Sequence, residues 1–318
     1  MKKISIVIPV YNNAESVWET FDRINELHIE KLSLYALEVI FVDDGSRDQS
    51  WSKLKEIQET FPATVRVAKL SRNFGQVQAI LAGYNLCKGD AIITISADLQ
   101  DPISLMESLV ESWSFGNEIV IAHRSTRSDD LAASLFSRIA YGIARRANPK
   151  IPAGGFDYLL MSRRAVEIMK TFSGRHRFFQ GDVLWIGLTT AFLPYAREKR
   201  QHGSSEWSLS RKFKYFGDLL IDSSYFPIRA MSALGMLTAA AGVLYSIIIV
   251  GSWFANDTPF EGWAPLMIIV LMIGGALMTM LGIIGEYIWR MYDDIKMRPL
   301  FVYDEICQSE LSGHHAEI

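Results

Sequence analysis

Short apolar runs alternate with longer amphipathic segments in the N-terminal part of the chain. Runs rich in β-branched residues predict five strands: Ile4–Val10, Glu38–Val42, Val65–Leu70, Ala91–Ile95 and Glu118–Ala122. Segments with helical spacing between them predict three helices: Trp51–Phe61, Gln76–Cys87 and Ile103–Phe115. Repeated strand–helix units predict an α/β domain with a mainly parallel sheet, in which ligands bind beyond the carboxyl ends of the strands.

The pattern changes in the C-terminal part, where charged residues become rare. The 62 residues from Ile228 to Trp289 contain four: Arg229, Asp257, Glu261 and Glu286. Residues 230–256 and 262–285 are uncharged, and as helices each exceeds the roughly 30 Å of a bilayer's hydrocarbon core. We therefore expect two transmembrane helices. The alternative is a pair of buried core helices, which seldom run this long without a charge.

Basic residues flank these two segments on their outer ends and are missing from the loop between them. They are Arg211, Lys212, Lys214 and Arg229 on one side and Arg290, Lys296 and Arg298 on the other. This asymmetry predicts that both termini are cytoplasmic. Before the first span, apolar residues recur at helical spacing at positions 209, 213, 216 and 220, which predicts an amphipathic helix on the membrane surface. An ordinary surface helix is the alternative.

Composition narrows the class of protein. The 318 residues carry 32 Lys+Arg and 35 Asp+Glu, a net charge of −3, which argues against a nucleic-acid-binding protein. Two cysteines, Cys87 and Cys307, provide neither a disulfide framework nor a metal-binding spacing. The basic residues before the first apolar run are typical of a signal peptide, but the run is short, contains Pro9 and lacks a cleavage site, so we expect a strand.

Polar residues follow four of the predicted strands, at the edge where a ligand would bind. The first strand ends in Pro9-Val10 and is followed by Tyr11 and Glu15. Asp43 and Asp44 follow the second strand, Arg72 and Asn73 the third, and Asp98 and Gln100 the fourth. The adjacent carboxylates of Asp43 and Asp44 repel each other, which favours a cation, a sugar hydroxyl or a base N–H as partner. A structural role in the turn for one of the two is the alternative. No glycine-rich phosphate loop for a dinucleotide or for ATP hydrolysis occurs.

Two residues of this edge have a structural interpretation. Ser46 followed by Gln49 has the pattern of a capping box, which predicts that Ser46 caps a helix. Asp101 before Pro102 predicts an N-cap with proline at the first helical position.

Four motifs occur in order: Val7-Ile8-Pro9-Val10-Tyr11-Asn12, Val42-Asp43-Asp44-Gly45-Ser46, Leu70-Ser71-Arg72-Asn73-Phe74-Gly75 and Ala97-Asp98-Leu99-Gln100-Asp101-Pro102. Together they resemble the family 2 inverting glycosyltransferases, and more narrowly the polyprenyl-phosphate glycosyltransferases of the bactoprenol glucosyltransferase and dolichol-phosphate mannose synthase type. The segment from Arg200 to Trp207 and Lys296-Met297-Arg298-Pro299 also fit.

The resemblance implies a Rossmann-like (GT-A type) domain and divides the chain into four parts. Residues 1–204 would form a cytoplasmic glycosyltransferase domain, 205–227 an interfacial amphipathic helix, 228–290 a two-helix transmembrane hairpin and 291–318 a cytoplasmic tail. The protein would be an integral membrane protein of the bacterial inner (plasma) membrane.

The resemblance also assigns roles at the donor site. Pro9, Tyr11, Glu15, Asp43, Asp44, Arg72 and Asn73 would line the nucleotide pocket. Asp98 and Gln100 would hold Mg²⁺ or Mn²⁺ on the diphosphate. The usual metal motif, Asp-x-Asp-x-Gln, has Ser96 in its first position here. Because serine is a neutral, weaker ligand for a hard cation, Asp98 would carry more of the coordination.

For the acceptor phosphate the candidates are Arg124, Arg127, Arg197 and Arg200, since an arginine fork matches phosphate oxygens, with Ser137 as an additional donor. The stretch around Arg197 and Arg200 has a second interpretation as a solvated basic face near anionic lipid. Asp157 aligns with an acidic position near the acceptor and could orient it, take its proton or steady an arginine. A purely structural pairing is the alternative. The catalytic candidates are thus Asp98, Asp157 and Arg200.

The implied reaction is inverting transfer of a hexose, glucose from UDP-glucose first, to undecaprenyl phosphate. Its partners would be the nucleotide sugar, the lipid and the membrane, with no nucleic acid; a homo-oligomer is left open. Alternatives are a GDP-mannose-dependent mannosyltransferase and a catalytically dead sugar-nucleotide binder. A processive polysaccharide synthase would show a Gln-x-x-Arg-Trp motif, whereas this chain has Gln180-Gly181-Asp182-Val183-Leu184-Trp185.

Overall fold

The computed structural model describes residues 1–124, 151–152, 155–172, 174–175, 177–196, 226–254 and 264–307. The chain divides into two compact units. One comprises Met1–Lys212 with Arg298–Ile318, and the other comprises Phe213–Met297.

The first unit is built on an eight-stranded sheet. Its strands are β1 (Lys3–Val10), β2 (Ala36–Asp43), β3 (Val65–Leu70), β4 (Ala91–Thr94), β5 (Ile119–Arg124), β6 (Tyr158–Ser162), β7 (Thr190–Tyr195) and β8 (Tyr303–Cys307). Their order across the sheet is β7-β5-β6-β4-β1-β2-β3-β8. All five predicted strands are confirmed, and Val65–Leu70 is confirmed at both ends. The N-terminal apolar run forms β1, which begins at Lys3, so the prediction of a strand there is confirmed.

The sheet is more mixed than the sequence predicts. Strands β1, β2, β3 and β4 pair in parallel, as do β5 and β7. However, β6 lies between β4 and β5 and is antiparallel to both. Strand β8 is antiparallel to β3, so part of the predicted tail completes the sheet. The repeated strand–helix units account only for the parallel half, because β6 and β8 return to the sheet from distant parts of the chain.

Six helices lie among the described residues of this unit. They are α1 (Val17–Lys31), α2 (Ser50–Thr60), α3 (Gln76–Leu86), α4 (Leu105–Ser114), α5 (Arg163–Lys170) and α6 (Phe179–Trp185). The three predicted helices correspond to α2, α3 and α4. Helix α1 was not predicted because most of its residues are polar; its narrow buried face is Val17, Thr20, Phe21 and Ile24, which recur at helical spacing.

One hydrophobic core forms between the sheet and its helices. Strand β1 contributes Ile4, Ile6 and Ile8 to it, and the aromatic rings of Phe21 and Phe41 are fully buried in it. Parallel pairing brings Val10 at the end of β1 beside Asp43 at the end of β2. The core therefore fixes the carboxyl ends of the central strands at one edge of the sheet.

The described residues of the second unit include two long apolar helices, α7 (Phe226–Phe254) and α8 (Ala264–Ile295). Among the described residues, one stretch is long and apolar enough to cross a membrane by length and composition: Met272–Ile295, in which no residue is buried as a whole. It ends later than the predicted span at 262–285. A shorter apolar stretch, Ala230–Tyr245, lies within the other predicted span. The predicted interfacial helix at 205–227 lies almost wholly outside the described residues.

Candidate active site

The loops after β1 and β2 are joined by hydrogen bonds. The Asp44 N–H donates to the Val10 carbonyl at 2.8 Å, and the Asn12 N–H donates to Ser46 Oγ at 2.9 Å. In return the Arg47 N–H donates to Asn12 Oδ1 at 3.0 Å. The capping prediction for Ser46 is wrong, because α2 begins only at Ser50 and the Ser46 hydroxyl is engaged by the neighbouring loop.

Asp44 joins the loop after β2 to the loop after β3. It is buried, and its Oδ1 and Oδ2 accept the N–H groups of Phe74 at 2.7 Å and Gly75 at 2.9 Å. Burial raises the pKa of Asp44 to about 6, although the two backbone hydrogen bonds oppose the shift. The structure thus gives Asp44 a part in holding the loop that carries Arg72 and Asn73. Its predicted contact with a nucleotide stays a prediction.

Gly45 is the point of closest approach between these two loops. Its φ of +69° lies in the left-handed region, and a Cβ added there would lie 2.6 Å from the Arg72 carbonyl carbon and 2.8 Å from the Asn73 nitrogen. Glycine is therefore required twice at this position, by its backbone conformation and by the space available. The Arg72 guanidinium lies over the ring of Phe74, 4.1 Å from its centroid.

Asp43 is the last residue of β2 and is completely buried. The Ser46 N–H lies 3.3 Å from each of its carboxylate oxygens. Burial raises its pKa, opposed by the hydrogen bond from Ser46 and the charge of Lys69. Two adjacent buried carboxylates suit a ligand that presents N–H or O–H groups.

The remaining predicted donor-site residues lie where β1 leads into α1. Pro9 and Tyr11 are half-buried, while Glu15 is exposed. The Tyr11 N–H donates to Asn13 Oδ1 at 3.1 Å, and the Asn13 N–H donates to Ser50 Oγ at 2.9 Å. The loop is thereby fixed both internally and to α2.

The predicted metal-binding segment follows β4 and is fastened to the start of α1. Ser16 Oγ donates to the Ala97 carbonyl at 2.7 Å. Leu99 is buried and has a φ of +56°, an uncommon conformation for a residue with a branched side chain. Asp98 and Gln100 on either side of it are half-buried, and the Gln100 N–H donates to Asp98 Oδ1 at 3.2 Å.

A second polar cluster, formed by Asp101, Tyr195 and Arg124, starts three residues after Asp98. The Tyr195 hydroxyl donates to Asp101 Oδ1 at 2.5 Å, and both residues are buried. The N-cap prediction for Asp101 is wrong: α4 begins at Leu105, and the Asp101 carboxylate points instead to a tyrosine from β7. Arg124 ends β5 beside Tyr195 in the parallel register and is hydrogen-bonded to it.

The charges in this cluster keep Arg124 and Tyr195 protonated. Burial acts to lower the pKa of Arg124, but the hydrogen bond with Tyr195 and the charges of Asp101 and Asp157 outweigh it and raise that pKa. The pKa of Tyr195 is raised by burial and by the charge of Asp101, so its hydroxyl keeps its proton. Arg124 is therefore a fixed cation at this edge of the sheet.

Asp157 precedes β6 and is exposed. Gln180, at the start of α6, is buried; its Nε2 donates to the Phe156 carbonyl at 2.9 Å and lies 3.5 Å from Asp157 Oδ1. The charge of Asp157 contributes to the raised pKa of Arg124. Which of its predicted roles Asp157 performs stays a prediction.

Four predicted acceptor-site residues lie outside the described residues: Arg127, Ser137, Arg197 and Arg200. Arg124 is the one member of that set within them. Sequence reasoning missed Tyr195 and Gln180. The run Thr190–Tyr195 contains Pro194, and proline argues against a strand interior; β7 lies at the edge of the sheet formed by the described strands, where proline is tolerated.

The oxygen donors of Asp98 and Gln100 suit a hard divalent cation such as Mg²⁺ or Mn²⁺. Within the described part of the chain no group of three or more His, Cys, Asp or Glu residues is arranged to hold a metal ion. Mg²⁺ commonly binds through one or two carboxylates with the phosphates of a substrate. The residues present therefore fit a metal that binds together with a diphosphate.

Comparison with known proteins assigns the chain to a family. The family model "Glycosyl transferase family 2" matches residues 5–212. This chain belongs to glycosyl transferase family 2. The match spans all the loops described above, so the chain is a glycosyltransferase with a Rossmann-like mixed sheet of GT-A type, as the motifs predicted.

Several relatives resemble this glycosyltransferase over nearly its whole length. The uncharacterized glycosyltransferase YkcC of Bacillus subtilis is 35% identical over 94% of this chain and 92% of its own length. The SfII prophage-derived bactoprenol glucosyl transferase of Shigella flexneri is 33% identical over 94% of this chain and 97% of its own. A solved structure of glucosyl-3-phosphoglycerate synthase from Mycobacterium tuberculosis with Mn²⁺ and UDP is 16% identical over 70% of this chain and 80% of its own, with a TM-score of 0.49.

Proposed function

We propose that this glycosyltransferase moves a hexose, glucose from UDP-glucose first, to polyprenyl phosphate such as undecaprenyl phosphate, with inversion. One observation carries the proposal: the carboxylate at Asp98 and the fixed cation at Arg124 occur at the same edge, linked through Asp101 only three residues from Asp98. The names of the bactoprenol glucosyl transferases among its relatives support the acceptor class.

The donor would occupy the joined loops after β1, β2 and β3. Asp43 would accept hydrogen bonds from the base or ribose, and Pro9, Tyr11 and Glu15 would line the same pocket. Arg72 and Asn73 would lie at its rim, held in place by Asp44. When bound through Asp98 and Gln100, Mg²⁺ or Mn²⁺ would neutralise charge on the departing diphosphate.

The acceptor needs little activation. A phosphate monoester has a second pKa near ~6 and is largely ionised at pH 7, so it can attack without a strong base. The chain's residues would then bring two anions together and hold the acceptor in line with the leaving group. Arg124 would bind the acceptor phosphate, with Arg127, Ser137, Arg197 and Arg200 as further candidates. Asp157 would orient the acceptor or Arg124.

A lipid acceptor requires access to a membrane. The exposed apolar stretch Met272–Ile295 supports membrane insertion, since an apolar surface of this size is rare on soluble proteins. Near its end, the Lys296 ammonium lies over the ring of Tyr292, 4.2 Å from the centroid, a combination typical of the membrane–water boundary. We propose that α7 and α8 form a two-span hairpin in the bacterial plasma membrane with both termini cytoplasmic.

One alternative is a sugar-nucleotide binder without transfer activity. Ser96 favours it, because serine replaces the first carboxylate of the usual metal motif. A GDP-mannose donor is the alternative within the same reaction. One assay separates the three. Full-length protein is incubated with labelled UDP-glucose or GDP-mannose, Mn²⁺ and undecaprenyl phosphate. Labelled lipid from UDP-glucose is expected. Labelled lipid from GDP-mannose alone would show that GDP-mannose is the donor. Donor binding without any labelled lipid would favour a sugar-nucleotide binder without transfer activity.

We expect UDP-glucose affinity to fall as the pH drops through about 6. The pKa of Asp44 is raised to about 6, so the folded protein takes up a proton there more readily than the unfolded chain does. Ionised Asp44 therefore lowers the free energy of unfolding above about pH 6, and this destabilisation disappears as the pH falls toward 4. Once protonated, Asp44 loses its negative charge and one of its oxygens becomes an O–H group, so its hydrogen bonds from the Phe74 and Gly75 N–H groups weaken and the Arg72–Gly75 loop loosens.

Isothermal titration of UDP-glucose between pH 5 and 8, without acceptor, checks this expectation. A nucleotide sugar has no phosphate group that titrates in that range, so the protein supplies the dependence. The variant Asp44→Asn is the control: its affinity should be lower and should not change around pH 6. An unchanged wild-type affinity at pH 5 would contradict the role of Asp44.

A further inference from the structure

Asp101, Tyr195 and Arg124 form a polar cluster in which Asp101 and Tyr195 are buried and Arg124 is half-buried. Asp101 and Tyr195 are 5% and 8% exposed, and a 2.5 Å hydrogen bond joins them. Neither residue belongs to the predicted donor or acceptor sets. A buried tyrosine–carboxylate pair at the carboxyl ends of the strands indicates a role beyond packing, because core positions are usually filled by apolar side chains.

Geometry connects this pair to Arg124. Tyr195 and Arg124 are direct neighbours on the paired strands β7 and β5, and their side chains are hydrogen-bonded. Arginine can only donate, so the tyrosine oxygen accepts from Arg124 while its proton goes to Asp101. The three side chains therefore form a directed chain of hydrogen bonds from Arg124 through Tyr195 to Asp101.

Such a chain is cooperative. Donation to a carboxylate increases the electron density on the tyrosine oxygen, which makes that oxygen a better acceptor for Arg124. The guanidinium has five N–H groups, and a bond to Tyr195 leaves others for a ligand. Fixing a long side chain before binding reduces the ordering cost that the ligand would otherwise meet.

We propose that Tyr195 and Asp101 are positioning residues that hold the Arg124 guanidinium ready for the acceptor phosphate. The inference rests on the proposed function, since it takes the lipid phosphate as the ligand of Arg124. Neither residue touches the reacting atoms; both act through Arg124. Their effect should therefore appear in the use of the acceptor and not in the use of the donor.

The test is Tyr195→Phe in the full-length protein, compared with Tyr158→Phe. Tyr158 is a matched control: its ring packs edge-on against Tyr195 with centroids 6.2 Å apart, and its hydroxyl donates to the Pro102 carbonyl at 3.4 Å. Transfer from labelled UDP-glucose is measured against varied undecaprenyl phosphate and then against varied donor. Thermal unfolding of each variant is recorded to choose a temperature at which all are folded.

We expect Tyr195→Phe to raise the KM for undecaprenyl phosphate about tenfold or more, the usual effect of losing a hydrogen bond to a charged group. The donor KM should change less than about twofold, because substitutions at one site usually have little effect on an independent site. Tyr158→Phe should leave both constants near wild type. Asp101→Asn, which retains an acceptor for the tyrosine proton, should give a smaller rise in the lipid KM than Tyr195→Phe.

A double variant tests whether Tyr195 acts through Arg124. If it does, Tyr195→Phe should add nothing to the defect of Arg124→Ala. An unchanged lipid KM in Tyr195→Phe, an equal rise in both KM values, or additive defects in the double variant would each overturn the inference. Absence of labelled lipid from the wild-type protein would instead overturn the proposed function.

Discussion

Asp98→Asn is expected to abolish sugar transfer, lowering the initial rate at least about a hundredfold, while the protein stays folded. The substitution removes a negative charge with little change in volume. Metal-assisted stabilisation of a leaving group is worth several kcal/mol, and each 1.36 kcal/mol corresponds to about a tenfold change in rate. With Ser96 in the first position of the motif, Asp98 is the only carboxylate of that motif left to bind the metal.

Two measurements check the expectation. The first is the initial rate of labelled lipid formation, and the second is UDP-glucose affinity with and without Mn²⁺. The variant should lose the gain in affinity that Mn²⁺ provides. Glu107→Gln is the matched control, because it removes one charge from an exposed position on α4. Wild-type turnover in Asp98→Asn would remove Asp98 from the metal site.

Gly45→Ala is expected to weaken donor binding at least about tenfold. A Cβ there would lie 2.6 Å from the Arg72 carbonyl carbon, so the two loops must move apart. That movement would break the hydrogen bonds of Asp44 to Phe74 and Gly75 and displace Arg72 and Asn73. UDP-glucose affinity should fall at least about tenfold, since one lost hydrogen bond to a charged group already has that effect.

The control for Gly45→Ala is Gly116→Ala. Gly116 also has a positive φ, +99°, but a Cβ added to it meets nothing within 4 Å. It therefore carries the conformational cost, roughly 1 kcal/mol or somewhat more, without the steric clash. Thermal unfolding and donor titration of both variants separate these effects. If both variants bind UDP-glucose like the wild type, the joined loops are not the donor site.

The parallel half of the fold could be predicted from sequence because its signals are local. Runs such as Val65–Leu70 are short, β-branched and bounded by polar residues, and each is followed by a helical pattern. Strands β6 and β8 could not be placed in this way. Their positions depend on pairing with β4 and β3, which lie far away in sequence.

The same distinction holds at the site. The donor-side residues follow strands directly, so strand prediction located Asp43 and Asp98. Asp101 and Ser46 were assigned to caps because local patterns fit, but each is engaged by another loop or strand instead. Tyr195 and Gln180 were missed because their partners, Asp101 and Phe156, come from other elements. Contacts between distant segments leave no local pattern to read.

The most direct test of the proposed reaction is the structure of its lipid product. The product formed from UDP-glucose, Mn²⁺ and undecaprenyl phosphate is isolated, and the linkage and anomeric configuration of its sugar are determined by NMR. We predict glucose joined to the lipid phosphate through its anomeric carbon, in the configuration opposite to that in the donor. A retained configuration, or glucose attached to a sugar hydroxyl and not to the phosphate, would contradict inverting transfer to a polyprenyl phosphate.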